Sequence, residues 1–127
     1  MKKLIYYWLP PLLWMLLIFS LSARQRVSVS EISSINFIFF KTLHLIEYAI
    51  LFFLLFRALF KTTKMPLNRI FYFSIIIAIV YAFTDELHQT FVPTREGSPR
   101  DVVIDTIGIL LCFMYTKSNL PKLKRFI

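Results

Sequence analysis

The 127-residue chain has little glycine, little cysteine and few acidic residues. Its single cysteine, Cys112, excludes an intrachain disulfide, and no cysteine cluster points to structural zinc. Only two glycines and seven acidic residues occur, against fifteen lysines and arginines. The net charge of +8 does not indicate nucleic-acid binding, because the basic residues flank apolar runs, as is typical of helices held in a bilayer.

Apolar residues are abundant instead: 57% of the chain is hydrophobic, and fourteen residues are Phe. Soluble domains are usually about 45–50% apolar. Four segments approach the roughly 20 residues needed to cross lipid, at about 4–21, 41–60, 69–91 and 99–115. The first has bulky aromatics and no small-residue cleavage site, which favours a span over a signal peptide. The sequence predicts an all-α, multi-pass protein of the cell membrane, a four-transmembrane-helix bundle forming one domain over residues 1–127.

The positions of lysine and arginine predict the orientation. Ten of them lie in the amino end, the second loop and the carboxyl tail, and five lie on the other side. The positive-inside rule therefore places both termini in the cytoplasm. All seven acids and both histidines then fall on the outer side or in the outer half of a span, so that the chemistry faces outward. In the first outer loop, residues 28–39 could form a short amphipathic helix at the interface.

Three predicted spans carry ionisable residues to a similar depth, in the stretches "KTLHLIEYAIL", "YAFTDELHQTFVP" and "SPRDVVIDTIG". A charge at the centre of a membrane helix costs about 2.5–3.5 kcal/mol, so these groups must converge on one another rather than face lipid. The candidate acid–base residues are His44, Glu47, Asp85, Glu86 and His88. The candidate substrate-binding residues are Lys41, Gln89, Arg95, Asp101 and Asp105.

Some of these residues also have a purely structural interpretation. Ser98 is a predicted helix cap, with Pro99 at the first turn and Asp101 three residues after the cap. Lys41 and Arg95 could simply extend to the interface. The histidines and carboxylates are ligand types for zinc or manganese, but "HLIE" and "DELH" do not form the HExxH arrangement. No residue is therefore assigned as a metal ligand, and the cofactor remains unknown.

The chain resembles the VanZ-like family in "FSLSAR", "KTLHLIEYAIL" and "DELHQTFVPTREGSPRDVVIDTIG", and the resemblance covers most of the sequence. It departs from the family pattern at Thr94, where Pro-Gly-Arg is common, and at Asp105, where Asn is common. The family is named after a protein linked to resistance to teicoplanin, an antibiotic that acts on cell-wall precursors outside the membrane. The resemblance supplies no biochemical activity, but the predicted outward polar pocket is consistent with a role in the cell envelope.

Together these features predict an outward-facing pocket that binds or acts on a lipid-linked or peptidoglycan-type envelope component. The expected partners are the lipid bilayer and such a ligand, without nucleic acid; whether the chain is an enzyme, and whether it is a homo-oligomer, stays open. One alternative is a small transporter or flippase subunit, although the predicted cytoplasmic halves, such as "FFLLF", offer no polar route inward. Another is a non-catalytic modulator of an envelope enzyme.

Overall fold

The computed structural model describes residues 1–24, 32–93, 95, 97–125 and 127, and its regular structure there is entirely helical. The helices are α1 (Lys2–Ser22), α2 (Ser33–Thr62), α3 (Leu67–Gln89) and α4 (Pro99–Leu123). The predicted all-α class is confirmed, and the arrangement is consistent with a four-helix bundle. The turn that contains Thr94 lies outside the described residues.

Two helices are longer than the predicted spans. α2 begins at Ser33 rather than near Lys41, because no proline or glycine interrupts the chain between them. Residues 33–39 of the predicted interfacial helix are thus the first turns of α2, and residues 28–31 lie outside the described part. α4 continues past residue 115 to Leu123 and accommodates Pro121 in its last turn.

α2 is the central helix and packs against the other three, most extensively against α4. Gly108 allows this close approach, since a Cβ there would collide with the backbone oxygen of Leu45. The half of the bundle nearer the α2–α3 connection is filled with aromatic rings. Phe56 and Phe71 stack with their centroids 4.7 Å apart, and Phe113 meets Phe71 edge-on at 5.1 Å.

The outer surface of the bundle is apolar. Large side chains such as Leu12 and Leu16 of α1 are more than half exposed. By length and composition, three helices could cross a membrane: Lys2–Ser22, Ser34–Thr62 and Leu67–Gln89. These features indicate a membrane protein. In the part of the chain that the structure describes, α4 does not meet this description, so the fourth span stays a prediction.

Candidate functional site

Ionisable side chains from α2, α3 and α4 meet at one end of the bundle, where α1 and α3 end and α4 begins. Lys41 of α2 forms an ion pair with Asp101 of α4, and their side chains are only 14% and 12% exposed. The predicted cap is present as well: the Ser98 hydroxyl accepts a hydrogen bond from Arg100 N at 3.3 Å, and Pro99 opens the helix. Lys41 and Asp101 thus bind each other across two helices.

Asp85 and Glu86 are buried near the end of α3 and are held by neutral donors. The Gln89 amide donates to Asp85 Oδ2 and to Glu86 Oε1, both at 3.1 Å. The Ser22 hydroxyl donates to Asp85 Oδ2 at 2.8 Å, and Ser98 N donates to Glu86 Oε2 at 3.0 Å. The spacing in "DELHQ" explains the shared amide, because residues three and four apart lie on the same helix face.

His44 stands between two further carboxylates. Its Nδ1 lies 3.7 Å from Asp105 Oδ1 and 3.9 Å from Glu47 Oε2, distances beyond a hydrogen bond. Asp105 is fully buried, and neither of its oxygens has a hydrogen-bond partner among the described residues. The same holds there for His44 Nδ1 and Asp85 Oδ1. Buried polar atoms without partners are uncommon in folded proteins and call for an explanation such as a ligand, an ion or a water molecule.

Three of the candidate acid–base residues come especially close together. His44, Asp85 and Glu86 each place one donor atom within 4.8 Å of the other two. His88 has a different position: its ring packs on Phe19 of α1, with the centroids 4.6 Å apart. Of the two histidines, His44 is therefore the one that joins the buried carboxylates.

Arg95 closes the end of α1. Its Nε donates to the carbonyl of Arg24 at 3.0 Å, and a terminal nitrogen donates to the carbonyl of Leu21 at 3.1 Å. The last carbonyls of a helix have no partner within the regular helical pattern, and Arg95 donates to the carbonyls at this end. The Leu21 carbonyl also accepts a hydrogen bond from Arg24 N at 3.3 Å. A longer hydrogen bond of 3.5 Å joins Arg95 to Gln89 Oε1 and connects this cap to the carboxylates.

The site reaches the protein surface on two sides. A cavity of about 190 Å³ opens between α1 and α2. It is lined by Leu21, Ser22, Arg24, Phe40, Leu43, His44, Glu47 and Arg95. A second, largely apolar groove of about 280 Å³ runs between α3 and α4 and has Glu86 and Ser98 in its wall. The site is therefore accessible both to polar groups and to hydrocarbon.

Sequence reasoning did not assign Ser22 to the site. This residue ends α1, is 3% exposed and donates to Asp85. The available signal was a serine at the end of an apolar span, at a depth comparable to that of Asp85. Sequence reasoning did not assign Tyr48 to the site either, although it directly follows Glu47 in "KTLHLIEYAIL". It is fully buried, and its hydroxyl interacts with the Asp85 carboxylate without meeting the geometry of a full hydrogen bond.

A family model described as VanZ/LLP1 matches residues 6–120. No curated protein and no solved structure is similar enough to the chain to count as a match. The matched range includes all four helices apart from the first residues of α1 and the last residues of α4. It contains every residue of the polar site described above. The chain belongs to the VanZ/LLP1 family.

Proposed function

We propose that this protein binds the polar head of a lipid-linked or peptidoglycan-type envelope component in the cavity between α1 and α2. The observation that carries the proposal is the composition of the cavity wall. His44, Glu47 and Arg95 share it with Leu43 and Phe40, on helices whose other faces are apolar. A wall of this kind suits an amphiphile that keeps its chain in lipid and its head group among the charges.

The hydrogen-bonding capacity of the site supports a head group rich in donors. Glu47 lines the cavity with carboxylate oxygens, which act as acceptors, and His44 lies beside it with Nδ1 3.9 Å from Glu47 Oε2. Hydroxyl, amide and amino groups of a sugar or a peptide would satisfy such acceptors. Arg95, at the cavity wall, offers guanidinium donors of the type that binds phosphate.

The other half of the bundle supports binding from one side over transport. Phe52, Phe56, Phe71 and Phe113 pack against one another there, with neighbouring ring centroids 4.7–6.3 Å apart. A transported polar head would have to displace these rings. In the proposed function the ligand enters and leaves from the end of the bundle that holds Asp85.

The same groups are suited to acid–base chemistry on the bound head. His44 lies beside the carboxylates of Glu47 and Asp105, and such contacts often shorten to hydrogen bonds only when substrate is bound. The proposal therefore includes acid–base catalysis on the bound head group, in addition to binding. The candidate residues of this proposal are His44, Glu47, Asp85 and Glu86, and His88 is not among them because its ring packs on Phe19.

Blocking the cavity should weaken ligand binding. Leu43→Trp adds a bulky ring to the cavity wall, so we expect the Kd for a polyprenyl-pyrophosphate-linked disaccharide peptide to rise at least about tenfold, or ~1.4 kcal/mol. Ile46→Trp is the matched control, because Ile46 is 47% exposed on the same helix and is not among the lining residues. Native mass spectrometry of the detergent-solubilised protein measures both. Equal binding by the two variants, or no binding by the parent, would contradict the proposal.

The proposed outward orientation has its own test. In a Cys112→Ser background, Arg100→Cys should react with a membrane-impermeant maleimide on intact cells, because Arg100 lies at the site end and its side chain is 69% exposed. Lys64→Cys, in the α2–α3 connection, should react only after permeabilisation. The opposite labelling pattern would place the site on the cytoplasmic face.

A further inference from the structure

The closest group of metal-ligand side chains in the described part of the chain is His44, Asp85 and Glu86. Each offers one donor atom within 4.8 Å of the other two. The group joins two helices, since His44 belongs to α2 and the carboxylates to α3. Asp85 and Glu86 are 3% and 4% exposed, so water does little to stabilise their charges.

A second observation points to a missing ligand at this place. Asp85 is almost completely buried, yet its Oδ1 has no hydrogen-bond partner among the described residues. His44 Nδ1 and both oxygens of fully buried Asp105 are in the same state within these ranges. Asp105 Oδ1 lies only 3.7 Å from His44 Nδ1, and one donor atom of His44 lies within 4.8 Å of an oxygen of Asp85, so the three residues that carry unpartnered atoms cluster around His44. A cation would add positive charge directly beside these groups, on which Lys41 and Arg95 act only as neighbouring charges.

The remaining oxygens are already oriented by hydrogen bonds. Ser22 and Gln89 donate to Asp85 Oδ2, and Gln89 and Ser98 donate to the two oxygens of Glu86. Ligating carboxylates in metalloproteins are commonly held by such outer donors, which fix their direction. Here the donors leave Asp85 Oδ1 available and keep the two carboxylates side by side.

We propose that His44, Asp85 and Glu86 bind a divalent transition-metal cation. One imidazole and two carboxylates form a mixed set that suits Mn²⁺ or Zn²⁺ better than Ca²⁺ or Cu⁺. With metal–ligand distances near 2.1 Å, the ligand atoms of two neighbouring side chains would be about 3.0–3.4 Å apart. The three donor atoms lie within 4.8 Å of one another here, so the side chains would move closer together on binding the ion. The ligands come from two helices, which is why no contiguous HExxH motif marks them. The proposal goes beyond envelope-ligand binding, because it rests on this geometry alone.

The test uses the full-length protein in detergent, without added lipid. After treatment with EDTA and dialysis, the protein is titrated with MnCl₂ or ZnCl₂. The bound metal is then measured by inductively coupled plasma mass spectrometry. We expect one equivalent per chain. His44→Gln and Glu86→Gln should weaken binding by more than about 100-fold, and Gln89→Ala, which removes only an outer donor, by about 10–100-fold. His88→Gln is the matched histidine control and should bind like the parent, because His88 packs on Phe19.

A spectroscopic measurement keeps the proposal testable if a variant fails to fold. Pulsed electron paramagnetic resonance of the Mn²⁺-loaded parent should show coupling to one imidazole nitrogen. Absence of stoichiometric metal, absence of this coupling, or an equal loss of binding in His88→Gln would overturn the proposal. Because no lipid is present, such a failure would leave the Leu43→Trp test of envelope-ligand binding unaffected.

Discussion

Asp85→Asn is expected to weaken ligand binding at the site by one to two orders of magnitude, roughly 10- to 150-fold, while the protein still inserts and accumulates. The amide has nearly the shape of the carboxylate, and its carbonyl can take the position of Oδ2. There it keeps the hydrogen bonds from Ser22 and Gln89, so stability should fall by no more than ~1 kcal/mol. The amide NH₂ then replaces Oδ1, the buried acceptor without a partner in the described ranges.

That exchange turns a buried acceptor close to His44, a residue of the cavity wall, into a donor. Hydrogen bonds to charged groups contribute about 1.5–3 kcal/mol, so the Kd should rise roughly 10- to 150-fold. Glu47→Gln and Glu86→Gln are expected to act in the same direction. Binding of the lipid-linked ligand is measured beside membrane abundance and the midpoint of thermal unfolding. Abundance that falls in step with binding would instead identify these residues as structural links between helices.

The largest expected effect on stability is that of Lys41→Met. Both side chains of the Lys41–Asp101 pair are mostly buried. After the substitution, the only ion-pair partner of Asp101 among the described residues is the exposed Arg100, whose Nε lies 4.0 Å from Oδ1. Breaking a buried pair from one side typically costs about 3–5 kcal/mol. The double variant Lys41→Met/Asp101→Leu should recover most of this loss, because it removes both charges and fills the space with apolar groups.

Thermal unfolding in detergent, followed by tryptophan fluorescence, compares the three proteins. Lys64→Met is the control, since Lys64 is exposed at the opposite end of the bundle. If Lys41→Met behaved like Lys64→Met, the pair would have only the value of a surface ion pair, about 0–1 kcal/mol. That result would favour the role that the sequence predicts for Lys41 and Asp101, which is binding of the substrate.

The helices and the polar end of the bundle could be predicted because each has a local cause. A long apolar run in lipid forms a helix, because only there are its backbone hydrogen bonds satisfied. Ionisable residues in such helices need polar partners on neighbouring helices. The pairing within that end could not be predicted. His44 and His88 each lie three residues from a carboxylate, Glu47 and Asp85 respectively. Only the rotation of each helix in the bundle decides that His44 joins the acids and His88 meets Phe19.

Two other features escaped prediction for similar reasons. Ser22 donates to Asp85, a residue 63 positions away, and nothing in the local pattern of α1 specifies that partner. The structural interpretation of Asp101 was correct in placing a cap at Ser98 but did not foresee the pair with Lys41. Both contacts depend on how separate helices pack, whereas sequence periodicity describes each helix alone.

Three of the contacts that hold α1 and its end use backbone carbonyls, and this has a consequence for how the sequence can change at those positions. Tyr81 donates to the carbonyl of Met15 at 2.5 Å, and Arg95 donates to the carbonyls of Leu21 and Arg24. Every residue that keeps the helix intact supplies the same backbone oxygen. The residue type at an acceptor position can therefore change while the hydrogen bond is retained. At these three carbonyls, evolutionary constraint should therefore fall on the donors Tyr81 and Arg95 rather than on the residues that supply the oxygens. Elsewhere α1 donates through its own side chains, and we expect constraint on those donors as well: Trp8, Trp14 and Ser22.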